Sequence, residues 1–222
     1  MPKKTKILAI DYQHIQDCNS SRFQEAMAIY NEAFPSSERQ SMVTVIERVK
    51  SGQSQLFVGI VKEQVVAMAL LWDFKNSPFV LLDYLAVKNN CRGLEFGTQF
   101  FQFLAQMTIK NKQFLLLEAE HFQFGSNKEQ RKKRIQFYIR NGAYLLSNVT
   151  YILPSLDGTA STEMVLMIAP KPPREILEKE SIKDLIQRLY LEIYEKESND
   201  PVLISLLDKI PEQIELTNTP LP

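Results

Sequence analysis

The stretch Leu85-Ala86-Val87-Lys88-Asn89-Asn90-Cys91-Arg92-Gly93-Leu94-Glu95-Phe96-Gly97-Thr98 restricts what this chain can fold into more than any other. The apolar run 79–87 supplies a strand, and Asn89, Asn90 and Gly93 supply a turn. From Phe96 onward, apolar residues at 96, 100, 103, 104 and 107 fall at helical spacing. A loop that opens a helix presents backbone N–H groups without intrahelical acceptors, backed by the helix dipole. Such a loop is a seat for an anion, suited to a diphosphate. Glycines at 93 and 97 let oxygens approach the backbone without a Cβ in the way.

The 222 residues fit one domain of ordinary size with an appendage, or two small ones, and 45% hydrophobic content is enough for a full core. Lysine plus arginine and aspartate plus glutamate number 26 each, so no global field favours nucleic acid or a membrane surface. Cys18 and Cys91 do not make a disulfide framework, and His14 and His121 lack metal-ligand spacing, so no metal site is expected. The N-terminus is basic, but its apolar run, 7–10, is too short for a signal segment, and no run approaches membrane-spanning length. The expectation is a cytoplasmic protein.

In chain order, residues 6–11 read as a first strand. A helix follows Asn19-Ser20-Ser21, with Phe23, Ala26, Met27, Tyr30, Ala33 and Phe34 on one face and Pro35 as its stop. A second helix has Met42, Val45, Ile46 and Val49 inward and closes at Ser51-Gly52. Runs 56–61, 65–72 and 79–87 read as strands joined by short turns, the middle one apolar on both faces and therefore central. Another strand, 114–120, places Glu118 and Glu120 on the face of Leu116, opposite Leu115, Leu117 and Ala119. A basic helix begins at 128 and ends at Asn141-Gly142, a left-handed stop. Residues 143–153 and 164–168 read as closing strands joined through 154–159. After the stiff break Lys171-Pro172-Pro173-Arg174, stripes at Ile182, Leu185, Ile186, Leu189, Ile193 and at Leu203, Leu206, Leu207, Ile210 mark two amphipathic helices. They must dock on the main domain or on a second copy of the chain. The tail, 211–222, reads as irregular.

Two motifs carry a family resemblance. Arg92-x-x-Glu95-x-Gly97, following Leu-Ala-Val, resembles the acyl-CoA loop of the GNAT N-acetyltransferase superfamily, whose pattern is Q/R-x-x-G-x-G/A; here Glu95 stands where the middle glycine is usual. Further on, Phe137-Tyr138-Ile139-Arg140-Asn141-Gly142-Ala143 resembles the family's Phe-Tyr-x-x-x-Gly-Phe, with Ala143 in place of the last aromatic. The motifs come in family order with a strand between them.

The resemblance implies an α+β fold: a mixed central sheet of about seven strands flanked by helices over residues 1–170, with a helical extension and tail at 171–222. It implies acetyl-CoA as co-substrate, held by Leu85, Ala86, Val87, Arg92, Gly93, Leu94, Glu95, Phe96, Gly97 and Thr98. It places the acceptor near the first helix pair, which makes Glu32, Glu38 and Arg39 contact candidates. Pantetheine is expected to pair with the strand ending at Val87, and the N–H near Leu85 to polarise the thioester oxygen. Tyr138 stands where many relatives place the acid that protonates the departing thiolate. Asp83 and Glu118 are the candidates for taking the amine proton, directly or through water.

The resulting expectation is an acetyl-CoA-dependent N-acetyltransferase in which an amine of a small molecule or protein attacks directly in a ternary complex. Two alternatives share the fold: a catalytically weak acyl-CoA-binding module, which Glu95 favours, and a scaffold whose C-terminal helices recruit a partner or form a homodimer.

Overall fold

The computed structural model describes residues 9–123, 127–154 and 162–219. The basic N-terminal residues, the first part of the strand expected at 6–11 and most of the connection expected at 154–159 lie outside them. By its internal contacts the chain divides into two compact units, Met1–Asp73 with Leu81–Met107, and Phe74–Val80 with Thr108–Pro222. No helix among the described residues is long and apolar enough to cross a membrane.

The first unit holds β1 (Asp11–Ile15), α1 (Ser21–Ala33), α2 (Met42–Lys50), β2 (Ser54–Val61), β3 (Gln64–Asp73), most of β4 (Phe79–Val87) and most of α3 (Phe96–Lys110). Its strand order is β1-β2-β3-β4. Of the strand expected at 6–11, Asp11 alone among the described residues is in a strand, and β1 runs on from it, pairing Asp11–Ile15 antiparallel with Ile60–Leu56. Its polar aromatics behave as apolar surface: Tyr12 stacks on Phe103 with centroids 4.0 Å apart and His14 on Phe57 at 4.8 Å.

Lys62 and Glu63 turn β2 into β3 with φ of 48° and 62°, the left-handed pair that a two-residue hairpin needs. Residues Val65 to Trp72 of β3 are all buried, as its two-sided apolar pattern predicts. Ser20 caps α1 by accepting from Phe23 N–H, and Pro35 ends it after Phe34. One core is formed by α1 (Phe23, Met27, Tyr30), α2 (Val45, Val49) and the sheet (Leu56, Val58, Met68, Leu70, Tyr84, Ala86). Trp72 is 4% exposed and lies under the Arg48 guanidinium, 4.8 Å from its ring centroid.

The second unit holds β5 (Phe114–Glu120), α4 (Lys128–Arg140), β6 (Tyr144–Leu146), β7 (Tyr151–Leu153), β8 (Thr162–Ala169), α5 (Lys179–Arg188), α6 (Pro201–Asp208) and β9 (Leu216–Thr217). Strand order is β5-β8-β6-β9, with β7 also on β8, and these pairings are antiparallel. Among the described residues there are nine strands, against the seven or so expected. One extra comes from residues 143–153, which divide into β6 and β7. The Asn148 side chain between them donates to Gln213 O at 2.8 Å and accepts from Glu215 N–H at 2.9 Å. The other is β9, in a tail expected to be irregular, which pairs with β6.

Residues 172–219 pack within this unit. Ile182, Leu185, Ile186, Leu189, Leu203, Leu206 and Ile210 are all buried inside the single chain. The π-turn Leu189–Ile193 follows α5 without a break and brings Tyr190 inward along with the stripe. Asp200 caps α6, accepting from the N–H groups of Val202 and Leu203, with Pro201 in the first turn.

Candidate active site

In the first unit, β4 ends where the Lys88 N–H donates to Val66 O at 2.9 Å. A 3₁₀ turn, Asn89–Cys91, follows, closed by Cys91 N–H to Lys88 O at 2.8 Å. The Arg92 side chain folds back and its Nε donates to Val87 O at 3.2 Å. Gly93 then takes φ of +79°, and a Cβ there would meet nothing within 4 Å, so the backbone angle alone selects glycine.

Glu95 also lies in the left-handed region, at φ +63°. The residue standing in the glycine place of the pattern therefore adopts a glycine-like backbone, at a cost of about 1–2 kcal/mol for a residue with a Cβ. The first intrahelical bond of α3 is Gln99 N–H to Glu95 O at 3.0 Å, which leaves the amides of Phe96, Gly97 and Thr98 without helical acceptors. Phe96, Phe100, Phe101 and Leu104 are buried and anchor the helix, while residues 92–95 are exposed. The result is a helix start beneath an exposed loop, the arrangement in which an anion seat is expected.

Leu85 and Val87 are half-buried and Ala86 is buried, so the strand end leading to this seat is held by the core behind Ala86. Asp83, further up the same strand, is half-buried and accepts from Gln40 Nε2 at 3.5 Å. Its neighbour Tyr84 donates to Glu38 O at 3.0 Å, and Arg39 bonds to the Asn31 side chain. Burial pushes the phenols of Tyr30 and Tyr84 up from their ordinary value. Glu32 meets the loop directly: its Oε2 accepts from Asn89 N–H at 3.3 Å, and with Lys88, Asn89 and Asn90 it lines an open hollow of about 490 Å³. Of the expected acceptor-side residues, Glu32 thus touches the loop, whereas Glu38 and Arg39 make contacts to Tyr84 and Asn31. Cys91 is a free thiol whose Sγ lies 3.3 Å from Asn90 Oδ1.

In the second unit, Glu118 is not a frayed strand end. Its Oε1 accepts from the Tyr151 hydroxyl at 2.5 Å and its Oε2 from the Tyr194 hydroxyl at 2.7 Å. Burial raises the carboxyl above its ordinary range, and the two phenol donors pull it back. Burial and the adjacent Glu118 charge hold the Tyr151 phenol well above its usual value. Glu120, on the same strand face, pairs with Arg131 at 2.6 Å and Arg134 at 3.4 Å, which accounts for it as an ion-pair partner of α4. Tyr138 lies one turn beyond Arg134 on that helix. Burial raises its phenol and Arg134 opposes the rise, so it is a protonated donor throughout the neutral range. The helix ends as its sequence predicts, with Gly142 at φ +94°.

Tyr151 and Tyr194 were not legible as site residues. They lie 33 and 76 positions from Glu118, one in a short strand and the other beyond both motifs. A buried-strand glutamate does call for a donor, but nothing local says which.

No known family profile matches the chain, and no curated protein sequence does. Solved structures do. A GNAT-family acetyltransferase from Bacteroides thetaiotaomicron superposes with a TM-score of 0.70 at 20% identity, covering 85% of this chain and 100% of that one. An aminoglycoside 6'-N-acetyltransferase solved with coenzyme A gives 0.56 at 12% identity, covering 73% and 99%. A Bacillus subtilis acetyltransferase, in complex with CoA, gives 0.52 at 13% identity, covering 74% and 100%. The chain has the fold of the GNAT acetyltransferases.

Proposed function

We propose that the protein is an acetyl-CoA-dependent N-acetyltransferase acting on an amine of a small molecule or a protein. The observation that carries this reading is the run from β4 into α3. The loop keeps two left-handed positions, Gly93 and Glu95, in front of a helix whose first amides have no helical acceptor. Two proteins of the same fold were solved with CoA, which supports an acyl-CoA as the ligand.

The residues present fit that ligand. Amides of residues 93–98 would hold the diphosphate, with the Arg92 guanidinium beside them. Leu85, Ala86 and Val87 would offer strand-edge backbone to the pantetheine amides. In the reaction the neutral amine nitrogen bonds to the thioester carbonyl carbon and the C–S bond breaks. The amine proton goes to a base and the thiolate takes a proton from an acid. Tyr138, a half-buried tyrosine on α4 whose phenol is held above its ordinary value, is the proposed acid. Glu118, whose carboxyl burial raises toward the amine's basicity, is the proposed base, with Asp83 as the alternative.

A second reading, an acyl-CoA-binding module with little turnover, is favoured by Glu95 alone, an exposed carboxylate on the proposed diphosphate loop. Calorimetric titration with CoA, followed by thiol release from acetyl-CoA with a panel of amines, separates the two. Amine-dependent release supports the enzyme, and saturable CoA binding without release supports the module.

A further inference from the structure

The C-terminal extension does more than cover apolar surface. Resting on the acetyl-transfer reading above, we infer that Tyr194, with Tyr151, is a positioning residue that holds Glu118 to receive the amine proton, so that the extension completes the catalytic apparatus.

The geometry starts from the sheet. Glu118 faces Leu166 across the β5–β8 pair, and Glu120 faces Met164, which faces Tyr151 across the β8–β7 pair. Directly opposed residues share a sheet face. Glu118, Glu120, Leu166, Met164 and Tyr151 therefore point to one side, and Tyr151 reaches Glu118 Oε1 over the intervening strand.

The extension supplies the second hydroxyl. The π-turn closes with Tyr194 N–H donating to Leu189 O at 3.1 Å, a wider spacing than an α-helix allows, which redirects the chain at Tyr194. Leu189, Tyr190 and Ile193 are buried and fix that turn. The Tyr190 hydroxyl donates to Ile152 O at 2.5 Å, beside Tyr151, so two tyrosines of the extension engage the region around one carboxylate. Each Glu118 oxygen accepts one phenol, which fixes the plane of the carboxylate and leaves a lone pair on each oxygen for a further donor.

A simple staple would not be built this way. The extension already buries Ile182, Leu185, Ile186 and Leu189, all at or below 1% exposure, and apolar packing alone would dock it. Placing a carboxylate under the docked segment costs solvation that apolar residues would not. The groups that face Glu118 are Tyr151 from β7 and Tyr190 and Tyr194 from the extension, with Asp200 acting on Tyr190. From α4, Arg131 and Arg134 are engaged by Glu120.

The test is Tyr194→Phe, with Tyr151→Phe as its companion, in the full-length protein. Each removes a donor to the ionised carboxylate and keeps the ring. Losing that donor raises the carboxyl pKa, so the acid limb of kcat/KM for an accepted amine moves to higher pH. The expected shift is about one pH unit, from one hydrogen bond to a charged group. The Glu118 carbon resonance, assigned by its loss in Glu118→Gln, moves its titration midpoint by the same amount, while the KM for acetyl-CoA is unchanged. A variant that melts lower but keeps both the wild-type limb and the wild-type midpoint overturns the inference and makes Tyr194 a staple. If the wild type turns over no amine at all, the acetyl-transfer reading falls and this inference falls with it. Turnover with an unmoved limb removes the inference alone.

Discussion

Glu95, held at φ +63°, lends its carbonyl to the Gln99 N–H at 3.0 Å, so the strained residue is the one on which α3 begins. Replacing it by glycine relieves the left-handed penalty but loosens the unfolded chain, for a net gain of up to about 1 kcal/mol. Glu95→Gly is expected to raise the denaturation midpoint and to tighten CoA binding by removing a carboxylate from the loop. Glu95→Ala keeps the strain and removes only the charge, so it should tighten binding without stabilising the fold. Equal melting of all three proteins would show that the left-handed penalty does not exceed the freedom that glycine adds to the unfolded chain.

Gly97 offers the corresponding loss of function. It stands in the first turn of α3, among amides with no helical acceptor. Gly97→Asp adds bulk and a like charge where a diphosphate would sit, and is expected to abolish CoA binding while the thermal transition stays cooperative. Calorimetry against CoA checks it, and retained wild-type affinity would move the cofactor elsewhere.

The extension should be part of the cooperative fold. Leu189 is fully buried among the second unit's residues. Leu189→Glu places a charge there without a partner and is expected to cost more than about 3 kcal/mol, enough to lower the melting point strongly. Amide hydrogen exchange gives an independent reading: α5 and the π-turn are expected to be protected as well as β5. Fast exchange there, with β5 protected, would detach the extension from the fold.

What the sequence disclosed and what it hid follow from the range of the interactions. The β4 strand, the loop and α3 were readable because alternation, turn residues and helical spacing are local, and Gly93 and Gly142 were placed by their backbone needs. The run of β1 through Tyr12 and His14 was not readable locally, because both rings are held by stacking on phenylalanines far along the chain. Residues 143–153 looked like one strand, since nothing near Asn148 announces that its amide binds a tail about 65 residues on. The Glu118 cluster was half visible: the carboxylate by its strand, its donors not at all, because Tyr151 and Tyr194 come to it only through sheet pairing and docking.

Tyr138 has its own signature. Burial raises its phenol, so as an acid it stays protonated through neutral pH and fails only above its raised value. Tyr138→Phe is expected to leave folding and CoA affinity nearly unchanged and to lower turnover by about a hundredfold. The alkaline limb of the wild-type profile should vanish in the variant. Equal turnover by the two proteins would leave water as the proton source.

The most direct test of the account follows the acetyl group itself. The protein is incubated with acetyl-CoA carrying a labelled acetyl group and a panel of primary amines, and free CoA thiol and labelled amide are measured together. Thiol is expected only with an accepted amine, in equal amount to the amide, and Gly97→Asp is expected to abolish both. Thiol release that is indifferent to every amine, or CoA that does not bind, would contradict the acetyl-transfer reading.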